Sequence, residues 1–442
     1  MRGFWIPVLL VLLVPACGGG GGSGPAGPPT TTTPVTMTLT GAATGPSEIA
    51  LSWTAEAPNP SYTILYQVYR VGGAVPLRQS SLTSFQDLDL AATTQYCYVI
   101  QAVLANQFGT PLFNSGKSND LCLTTQGVAN WPTVTVGSGS FVSLALNAAG
   151  RNLLSFRNAG GVQFATDAGG ALALQTIDAG AGAGESTAIA VSGAGAANVL
   201  YLDNTPTFPL RYATNRSGAW AASIVDPQTI PGYALAMDGA GNAHAVYRRD
   251  QANIRYATNA GGTWLSTPLL ISGIPRSAAV DGAGAVHIVV TEGACGVRYV
   301  KLAAGFWTDI FSDAGTTCGA SMTLDSGGFA HLAYFKANIL YHATNRSGAF
   351  VVTPVDSLPS TPGVDVNPSI AVDANFHAHI SYQDRNADLK YATNAGGSWQ
   401  SIYVAAAGML ADHHQIRVDA AGNAHIAYTD ASTGTVKLAT SP

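Results

Sequence analysis

The sequence predicts an all-β protein, with a β-sandwich followed by a seven-bladed β-propeller. Hydrophobic residues make up 47% of the 442 positions and charged residues 10%, against about 25% charged in an average soluble domain. Glycine occupies 50 positions, which is typical of turn-rich structure. Apolar residues alternate at period two in short runs, and one pattern recurs throughout the chain beyond residue 128. Together these three features favour packed sheets over helices or disorder.

The first 34 residues predict a targeting signal and a tether. The apolar run from Ile6 to Val14 has the length of a signal-peptide core and is shorter than the ~20 residues of a membrane-spanning helix. It ends in Val14-Pro15-Ala16-Cys17, which resembles the lipobox of bacterial lipoproteins. The resemblance implies a signal peptide over 1–16 and lipidation of Cys17. An ordinary signal peptide cut near Ala16 is the alternative.

Residues 17–34 are rich in Gly, Pro and Thr and cannot bury a core, so we expect a mobile linker. The lipobox resemblance then implies a lipid-anchored protein of the cell envelope, at the outer membrane or the cell surface.

Residues 35–126 have the pattern of a β-sandwich. Three runs alternate apolar and polar residues between turns, at 48–53, 63–69 and 96–102. Leu51-Ser52-Trp53 and the stretch from Leu90 to Tyr96 resemble the second strand and the tyrosine corner of a fibronectin type III domain. The resemblance implies a spacer or adhesive module with Trp53 in its core.

Cysteine usage agrees with export. Apart from Cys17, four cysteines are present, two in each half of the chain, and no CxxC pair exists, so a zinc site is not expected. We expect disulfides between Cys97 and Cys122 and between Cys295 and Cys318, formed in an oxidising compartment. The fibronectin resemblance places the first bridge on neighbouring strands.

From 128 to 442 the sequence repeats. Turn residues spaced 43 to 48 positions apart divide this part into seven units, at Asn147, Ser192, Asp238, Asp281, Asp325, Asp373 and Asp419. Each unit has four short strands, so the repeat predicts a propeller with one blade per unit. The first turn pairs an Asp with a Gly three residues later, as in Asp238 and Gly241, which is typical of a type I turn followed by a positive φ.

The ends of the repeat predict how the ring closes. The seventh unit stops at Pro442, where earlier units continue into a Trp-containing outer strand. A matching stretch, Asn130-Trp131-Pro-Thr-Val-Thr-Val136, stands directly after the sandwich. We therefore expect 131–136 to form the outer strand of the last blade, which removes a free sheet edge.

The turn between the third and fourth strands carries the most specific motif. Ala257-Thr-Asn259-Ala-Gly261-Gly-Thr263-Trp264 resembles the Asp-box of neuraminidase repeats, Ser-x-Asp-x-Gly-x-Thr-Trp. Related copies begin at Asn215, Asn345 and Asn394, and Asp167 keeps the acid in the first unit. The resemblance implies a sialidase-like propeller in which the acid or amide caps the hairpin and the aromatic packs between sheets. Asn mostly replaces the Asp, so the resemblance does not extend to an active sialidase.

Histidines and tyrosines recur on the second strands. The histidines are His244, His287, His331, His379 and His425. Copies in successive blades would lie about 10 Å or more apart across packed sheets, so we interpret them as inter-blade hydrogen-bonding groups and not as a metal ring. The tyrosines, interpreted as packing residues, are Tyr201, Tyr247, Tyr334, Tyr382 and Tyr428.

One innermost strand departs from the repeat. Two positions before the turn residue, six units have a small residue and the seventh has Arg417; the six are Ala145, Ala190, Ala236, Ala279, Thr323 and Ala371. A guanidinium there needs a partner or water, because an unpaired buried charge is costly. A structural ion pair or a solvated channel arginine is one interpretation, and a contact for a carboxylate or sugar hydroxyl is the other.

Charged side chains gather in the loops of one predicted mouth of the propeller. These loops join second to third strands, or one blade to the next. With Arg417, the candidate ligand-binding residues are Arg248, Arg249, Asp250, Glu292, Asp384, Arg385, His413, His414 and Asp430. Solvation explains most single charges of this kind, but together they indicate a binding face.

A binding module for glycan or protein is the leading hypothesis. An active sialidase would need an arginine triad and a tyrosine paired with a glutamate, and the propeller has only Glu185 and Glu292, so we name no catalytic residue. A glycosidase or lyase using other carboxylates is the alternative, because distance and not spacing defines such a pair. A structural envelope component without a small ligand is the third hypothesis.

Charge and composition limit the partners. The net charge of -5 is spread over 25 acidic and 20 basic residues, which leaves no basic face for nucleic acid. We expect no cofactor and no metal. The expected partners are a glycan or protein on the charged mouth and a membrane reached through the lipid anchor, and the expected state is a monomer.

Overall fold

The computed structural model describes residues 35–55, 63–105, 111–180, 186–203, 205–292, 296–303, 305–314, 319–358, 367–384, 386–406 and 409–442. Every regular element in these ranges is a β-strand, so none of them contains a helix that could cross a bilayer. The predicted signal peptide 1–16, Cys17 and the linker up to residue 34 lie outside the described residues.

The described chain forms two compact units. The smaller comprises the described residues up to Leu39 together with Trp53–Thr83 and Tyr98–Asp120, and the larger comprises Thr40–Ser52, Ser84–Cys97 and Leu121–Pro442. The division therefore does not fall at residue 126, because parts of the predicted sandwich belong to the larger unit.

Two antiparallel sheets occupy residues 35–126. The three-stranded sheet has the order β1-β2-β5, with β1 Met37–Ala43, β2 Ile49–Ala55 and β5 Ser84–Asp87. The other sheet has the order β4-β3-β6-β7, and β8 also pairs with β6. The strands of this second sheet are β3 Thr63–Arg70, β4 Arg78–Ser80, β6 Gln95–Ala105, β7 Pro111–Lys117 and β8 Leu121–Thr124.

The residues singled out from the sequence of 35–126 form part of the core or cross-link its strands. Trp53 is buried, as predicted, and its ring packs edge-on against Tyr66 at 5.5 Å. The hydroxyl of Tyr96 accepts a hydrogen bond from the Ala91 N–H at 3.0 Å, which ties the turn before β6 to that strand. Cys97 and Cys122 form a disulfide between β6 and β8, in agreement with the sequence prediction.

Seven four-stranded antiparallel sheets follow among the described residues of the larger unit, and we number them 1 to 7. The first three are sheet 1, β10 Ser140–Leu146, β11 Asn152–Asn158, β12 Gly161–Thr166 and β13 Ala173–Asp178; sheet 2, β14 Thr187–Val191, β15 Ala197–Leu202, β16 Leu210–Thr214 and β17 Ala221–Asp226; and sheet 3, β18 Ile230–Met237, β19 Ala243–Arg248, β20 Ile254–Thr258 and β21 Leu265–Pro268.

The last four are sheet 4, β22 Ile274–Val280, β23 Val286–Glu292, β24 Gly296–Ala303 and β25 Phe306–Asp313; sheet 5, β26 Ala320–Leu324, β27 Ala330–Lys336, β28 Ile339–Thr344 and β29 Val351–Ser357; sheet 6, β30 Ser369–Val372, β31 Ala378–Gln383, β32 Leu389–Thr393 and β33 Gln400–Ala405; and sheet 7, β34 Met409–Val418, β35 Ala424–Asp430 and β36 Thr435–Thr440, joined by β9 Thr133–Ser138.

The sheets follow one another in a circle. The first strand of each sheet contacts the first strand of the next, and β34 of sheet 7 contacts β10 of sheet 1. Consecutive four-stranded sheets around a common axis are the arrangement of a β-propeller. At the predicted first turns, Gly241, Gly284 and Gly422 have φ values of 82°, 82° and 91°, the positive region that favours glycine.

The predicted closing strand is present. β9 pairs with β36 so that Val134 lies opposite Leu438, and the N–H of Thr440 donates to the Pro132 carbonyl oxygen at 3.0 Å. Trp131 is buried and packs edge-on against Tyr391 of sheet 6 at 5.0 Å. The strand therefore begins two residues later than expected, because Trp131 is used to pack on the neighbouring sheet.

The second-strand tyrosines join neighbouring sheets by hydrogen bonds as well as by packing. Four of the five hydroxyls donate to an aspartate at the end of the preceding sheet's fourth strand. The pairs are Tyr201–Asp178 at 2.8 Å, Tyr247–Asp226 at 2.9 Å, Tyr334–Asp313 at 2.8 Å and Tyr382–Asp356 at 2.6 Å. Hydrogen bonds to a carboxylate are worth about 1.5–3 kcal/mol, so these pairs are a main polar link between sheets.

The interpretation of the repeated histidines as inter-blade groups is wrong, because each one bonds within its own sheet. His287 is representative: its Nε2 lies 3.0 Å from Asp281 in the first turn, and its Nδ1 lies 2.6 Å from the Tyr299 hydroxyl on the third strand. The partners of His287 are thus the first turn and the third strand of its own sheet.

The turn between third and fourth strands packs its aromatic residue on a neighbouring sheet, as expected, but its side-chain oxygen bonds the second strand and not its own hairpin. The side-chain oxygen of Asn259 accepts from the Ala243 N–H at 2.7 Å, and Asn215, Asn345, Asn394 and Asp167 make the same kind of bond in other sheets. The aromatic that follows packs on the preceding sheet, as Trp264 does on Tyr212 at 5.2 Å. The turn is thus tied to the second strand of its own sheet and contacts the neighbouring sheet.

Candidate axial binding cavity

An axial cavity of about 600 Å³ lies inside the ring of seven sheets. The first strand of every sheet, or the residues leading into it, contributes to its wall. The lining comprises residues 141–143, 186–189, 231–235, 274–278, 320–322, 367–370, 414, 415 and 417, together with Arg248.

The cavity lies toward the mouth that the sequence predicted as the binding face. Most of its lining comes from the starts of the first strands. Because the strands are antiparallel, the start of a first strand and the loop between the second and third strands lie at the same end of a sheet. The cavity is therefore reached from the end that carries the blade-to-blade connections.

Irregular backbone at this end redirects side chains. The pairing of first and second strands shifts register between Ser140 and Ser143, between Ile230 and Tyr233, and between Pro275 and Ser277. Such β-bulges leave an extra residue that points away from the regular alternation. Arg276 is the extra residue in sheet 4; it lines the cavity, and its Nε donates to Thr291 Oγ1 at 3.0 Å. Sequence reasoning missed Arg276, although a charged residue on an innermost strand was the available signal.

Arg248 lies across the entry of sheet 3. Its Nη1 donates to the Pro231 carbonyl oxygen at 3.2 Å and its Nη2 donates to Gln251 Oε1. Gly232 makes room for it, since a Cβ there would lie 2.9 Å from Arg248 Cδ and the φ of Gly232 is +113°. The Arg248 Nε is buried and has no hydrogen-bond acceptor. Burial lowers the pKa of this guanidinium.

Arg417 also lines the cavity, unlike the six small residues at its register in the other sheets. Its Nη1 donates to the Ile416 carbonyl oxygen at 2.7 Å, and no described carboxylate forms an ion pair with it. Burial lowers the pKa of Arg417 to about 10. The guanidinium is therefore partly exposed in the cavity and has no countercharge from the described chain.

His414 is the third predicted residue in the cavity wall. Its side chain is buried, and its Nδ1 lies 2.9 Å from Ser381 Oγ. Its neighbour Gln415 accepts from both Ser143 Oγ at 3.0 Å and the Leu144 N–H at 2.9 Å, which joins sheet 7 to sheet 1. Gln415 was not singled out from the sequence.

The other predicted mouth residues make local contacts. Arg249 pairs with Asp226 at 3.0 Å, and Glu292 pairs with Arg298 at 2.9 Å. Asp250 accepts from the Ala252 and Asn253 N–H groups, and hydrogen bonding by Asn253 lowers its pKa. Asp430 binds Lys437. Asp250, Glu292 and Asp430 are therefore used within their own sheets, and Arg249 links sheet 3 to sheet 2.

Asp384 is buried in a turn of sheet 6. It accepts from the Asn386 and Asp388 N–H groups at 2.9 and 3.0 Å, and burial raises its pKa. Arg385 and the side chain of His413 lie outside the described residues, as do Cys295 and Cys318, so their pairing stays a prediction.

The described lining is cationic. It contains Arg248, Arg276, Arg417 and His414, and it contains no Asp or Glu. The remaining polar groups are hydroxyls, amides and backbone. Across the described residues, no group of three or more His, Cys, Asp or Glu side chains is placed to hold a metal ion.

The sequence matches no protein-family model and no curated protein. Among solved structures, AofleA from Arthrobotrys oligospora is 14% identical with a TM-score of 0.48, over 64% of this chain and 92% of that one. The fungal lectin of Aleuria aurantia, described as a six-bladed propeller with fucose recognition, is 15% identical with a TM-score of 0.44, over 62% and 99%. A protein of unknown function from Dyadobacter fermentans is 10% identical with a TM-score of 0.41, over 71% and 98%. At these values the function has to be argued from the chain's own residues.

Proposed function

We propose that this protein is a binding module and that its ligand is a glycan held in the axial cavity. The observation that carries the proposal is the cavity itself, about 600 Å³ in volume and lined by the innermost strands. Ligand pockets of proteins commonly measure about 300–1,000 Å³, so a sugar residue fits. A protein ligand that inserts one side chain is the second candidate from the sequence.

The chemistry of the lining favours a hydroxylated ligand. Ser186, Ser321 and Tyr233 contribute hydroxyl groups to the wall, and the buried Ser321 Oγ has no hydrogen-bond partner. These groups both donate and accept hydrogen bonds, as sugar hydroxyls require. The scaffold is rigid, because the groups lie on paired strands or at their entries and not on long loops.

The glycosidase alternative is less well supported. Glycoside hydrolysis by the usual route needs two carboxyl groups about 5–10 Å apart across the scissile bond. The described lining of the cavity contributes no carboxylate, and Glu292 is paired with Arg298. Binding without hydrolysis is therefore the function that the described part of the cavity supports best.

The architecture that accompanies this proposal follows the sequence. We infer that each numbered sheet is one blade of a seven-bladed, sialidase-like propeller with degenerate Asp-box turns. The sandwich of 35–126 is a fibronectin type III-like spacer, and Cys17 carries the lipid that holds a monomeric protein in the bacterial envelope, at the outer membrane or cell surface. The buried Trp53 and the Tyr96 hydrogen bond support the fibronectin assignment.

A glycan array tests the proposal. The full chain, extracted from membranes with detergent, is applied to the array, and the same preparation is incubated with a panel of chromogenic glycosides. We expect saturable binding to a restricted set of glycans and no release of the chromophore. An array without any specific signal contradicts glycan binding, and release of chromophore restores the glycosidase alternative.

A further inference from the structure

Side chains of the innermost strands form a belt of hydrogen bonds around the cavity. In sheets 1, 4, 6 and 7, the residue four positions before the turn residue accepts a backbone N–H from the next sheet. The bonds run from Ile189 N to Ser143 Oγ at 3.0 Å, from Met322 N to Ser277 Oγ at 3.1 Å, from Ile416 N to Ser369 Oγ at 3.2 Å and from Leu144 N to Gln415 Oε1 at 2.9 Å.

The belt is open at sheets 2, 3 and 5. In sheet 5 the buried Oγ of Ser321 has no hydrogen-bond partner, and the gap at sheets 2 and 3 is called the interrupted sector. The corresponding acceptor positions of sheets 2 and 3 are Ala188 and Ala234, whose methyl groups cannot accept a hydrogen bond. The donors that would face them are the N–H groups of Leu235 and Ala278. These two residues pair with their second strands in the same register as Ile189 and Met322, so their N–H groups point to the same edge of the sheet.

The interrupted sector faces the cavity. Leu235 and Ala278, and the two alanines opposite them, all line its wall. Backbone N–H groups inside proteins are almost always satisfied, so an acceptor from solvent or from a ligand is required here. The sector thus presents donors without a matching acceptor from the belt.

Arg248 adds a charged donor at the same side. Its side chain lies over Gly232 and close to Ile274, between the entries of sheets 3 and 4. Its Nε is buried and has no acceptor. No Asp or Glu of the described lining competes for it. Nitrogen donors that line one cavity and have no carboxylate beside them suit a negatively charged oxygen.

We propose that the cavity sector between sheets 2 and 4 binds an oxyanion through the N–H groups of Leu235 and Ala278 and the guanidinium of Arg248. The oxyanion is a carboxylate, or a phosphate or sulfate group, carried by the ligand. The inference rests on the proposed function for the place of binding and deepens it, because it makes the preferred glycan an acidic one.

Filling the gap in the belt is the decisive test. In the variant Ala188→Ser/Ala234→Ser, the two new hydroxyls accept from Leu235 and Ala278 as Ser143 and Ser277 do in their sheets. We expect the melting temperature of the full chain to rise while anion binding weakens at least ~10-fold, since the donors are now occupied. If this sector has only a structural role, the double variant should have a higher melting temperature and an unchanged affinity for the anion.

The probes are glucuronate, inorganic phosphate and, as the neutral control, glucose, titrated into the detergent-extracted full chain and followed by calorimetry. We expect wild type to bind glucuronate, phosphate or both, and not glucose; glucuronate alone indicates a planar carboxylate, and phosphate alone a tetrahedral anion. Arg248→Gln should lose this binding, which decides the matter even if the double variant does not fold. Arg249→Gln is the matched control and should bind as wild type does, because Arg249 pairs with Asp226 and does not line the cavity.

Two results overturn the inference: neither anion binds wild type, or Arg248→Gln and the folded Ala188→Ser/Ala234→Ser variant both keep full affinity. Its failure is distinct from that of the proposed function. Neutral glycans bound on the array by both wild type and the double variant would leave glycan binding standing and remove the oxyanion site. Anion binding by a protein that gives no signal on the glycan array would support the oxyanion site and contradict glycan binding.

Discussion

At the residue scale, sheet 5 replaces the usual partner of the second-strand histidine. In sheets 3, 4 and 6 that histidine lies 2.6 Å from a tyrosine hydroxyl on the third strand, whereas in sheet 5 His331 lies 3.1 Å from His342. Burial, reinforced by the neighbouring His331, lowers the pKa of His342 to about 3. The folded protein therefore keeps this imidazole neutral where the unfolded chain would protonate it.

The low pKa of His342 predicts an acid-sensitive fold. A base whose pKa is lowered on folding contributes stability that is complete above about pH 6.5 and is lost as the pH falls toward 3. At pH 5 the loss is about 2 kcal/mol relative to pH 7.5. His342→Tyr, which copies the residue of the other sheets, should remove this share of the pH dependence. Denaturant unfolding at the two pH values measures it, and equal losses for wild type and variant would contradict the assignment.

Arg417 is the second informative residue. Its guanidinium is partly desolvated and has no described carboxylate partner, so removing it should relieve a desolvation cost. We expect Arg417→Ala to leave the free energy of unfolding unchanged or to raise it by about 1 kcal/mol, because it restores the small residue of the other six sheets. Arg417→Lys should fold normally and weaken ligand binding, since an ammonium group cannot replace the bidentate hydrogen bonding of a guanidinium. Unfolding caused by Arg417→Ala would show instead that the residue is a structural ion-pair partner.

Sequence patterns could locate these residues but not all of their partners. Arg417 was visible as a break in a row of small residues, and it does line the cavity. The direction of the histidine bonds was mispredicted, because the repeat period gives the strand of a residue and not the side on which its partner lies. Arg276 escaped notice because a bulge, which has no sequence signature here, turns it into the cavity.

At the scale of elements, closure by β9 holds the first and last parts of the larger unit together. Deleting residues 128–137 removes the outer strand of sheet 7, with its ladder to β36 and the packing of Trp131. We expect the melting temperature to fall sharply, because sheet 7 would keep three strands and an exposed edge. An unchanged melting temperature in differential scanning calorimetry would mean that β9 does not close the ring.

A pair of point variants separates packing from pairing in that strand. Trp131 is 8% exposed and packs on Tyr391, so Trp131→Ala should cost about 3–5 kcal/mol of stability. Val134 on the same strand is 48% exposed, and Val134→Ala should change stability by less than about 0.5 kcal/mol. Chemical denaturation measures both, and similar losses for the two would argue against the packing role of Trp131.

The disulfides make a prediction about compartment as well as structure. Peptide mapping without reductant should recover Cys97 linked to Cys122, as in the structure, and Cys295 linked to Cys318. Both bridges are expected of an exported protein. Free thiols at all four positions in protein isolated from the envelope would contradict the oxidising location.

At the scale of the whole molecule, periodicity predicted more than individual residues did. Each unit defined by the 43 to 48 residue spacing of the turn residues corresponds to one four-stranded sheet. The outer strand that the seventh unit lacks is supplied by β9, as its sequence indicated. The grouping of charges at one mouth was less informative, because Asp250, Glu292 and Asp430 are used within their own sheets and Arg249 pairs with Asp226 of the preceding sheet. Ion pairing depends on distances across a loop, which sequence spacing does not supply.

The measurement that tests the account most directly is glycan-array binding by wild type beside two variants. We expect a restricted set of bound glycans for wild type and for Arg249→Gln. We expect the double variant Arg248→Gln/Arg417→Ala, which removes two guanidinium groups from the cavity wall, to fold and to lose those signals. Unchanged array binding by the folded double variant would contradict recognition in the axial cavity.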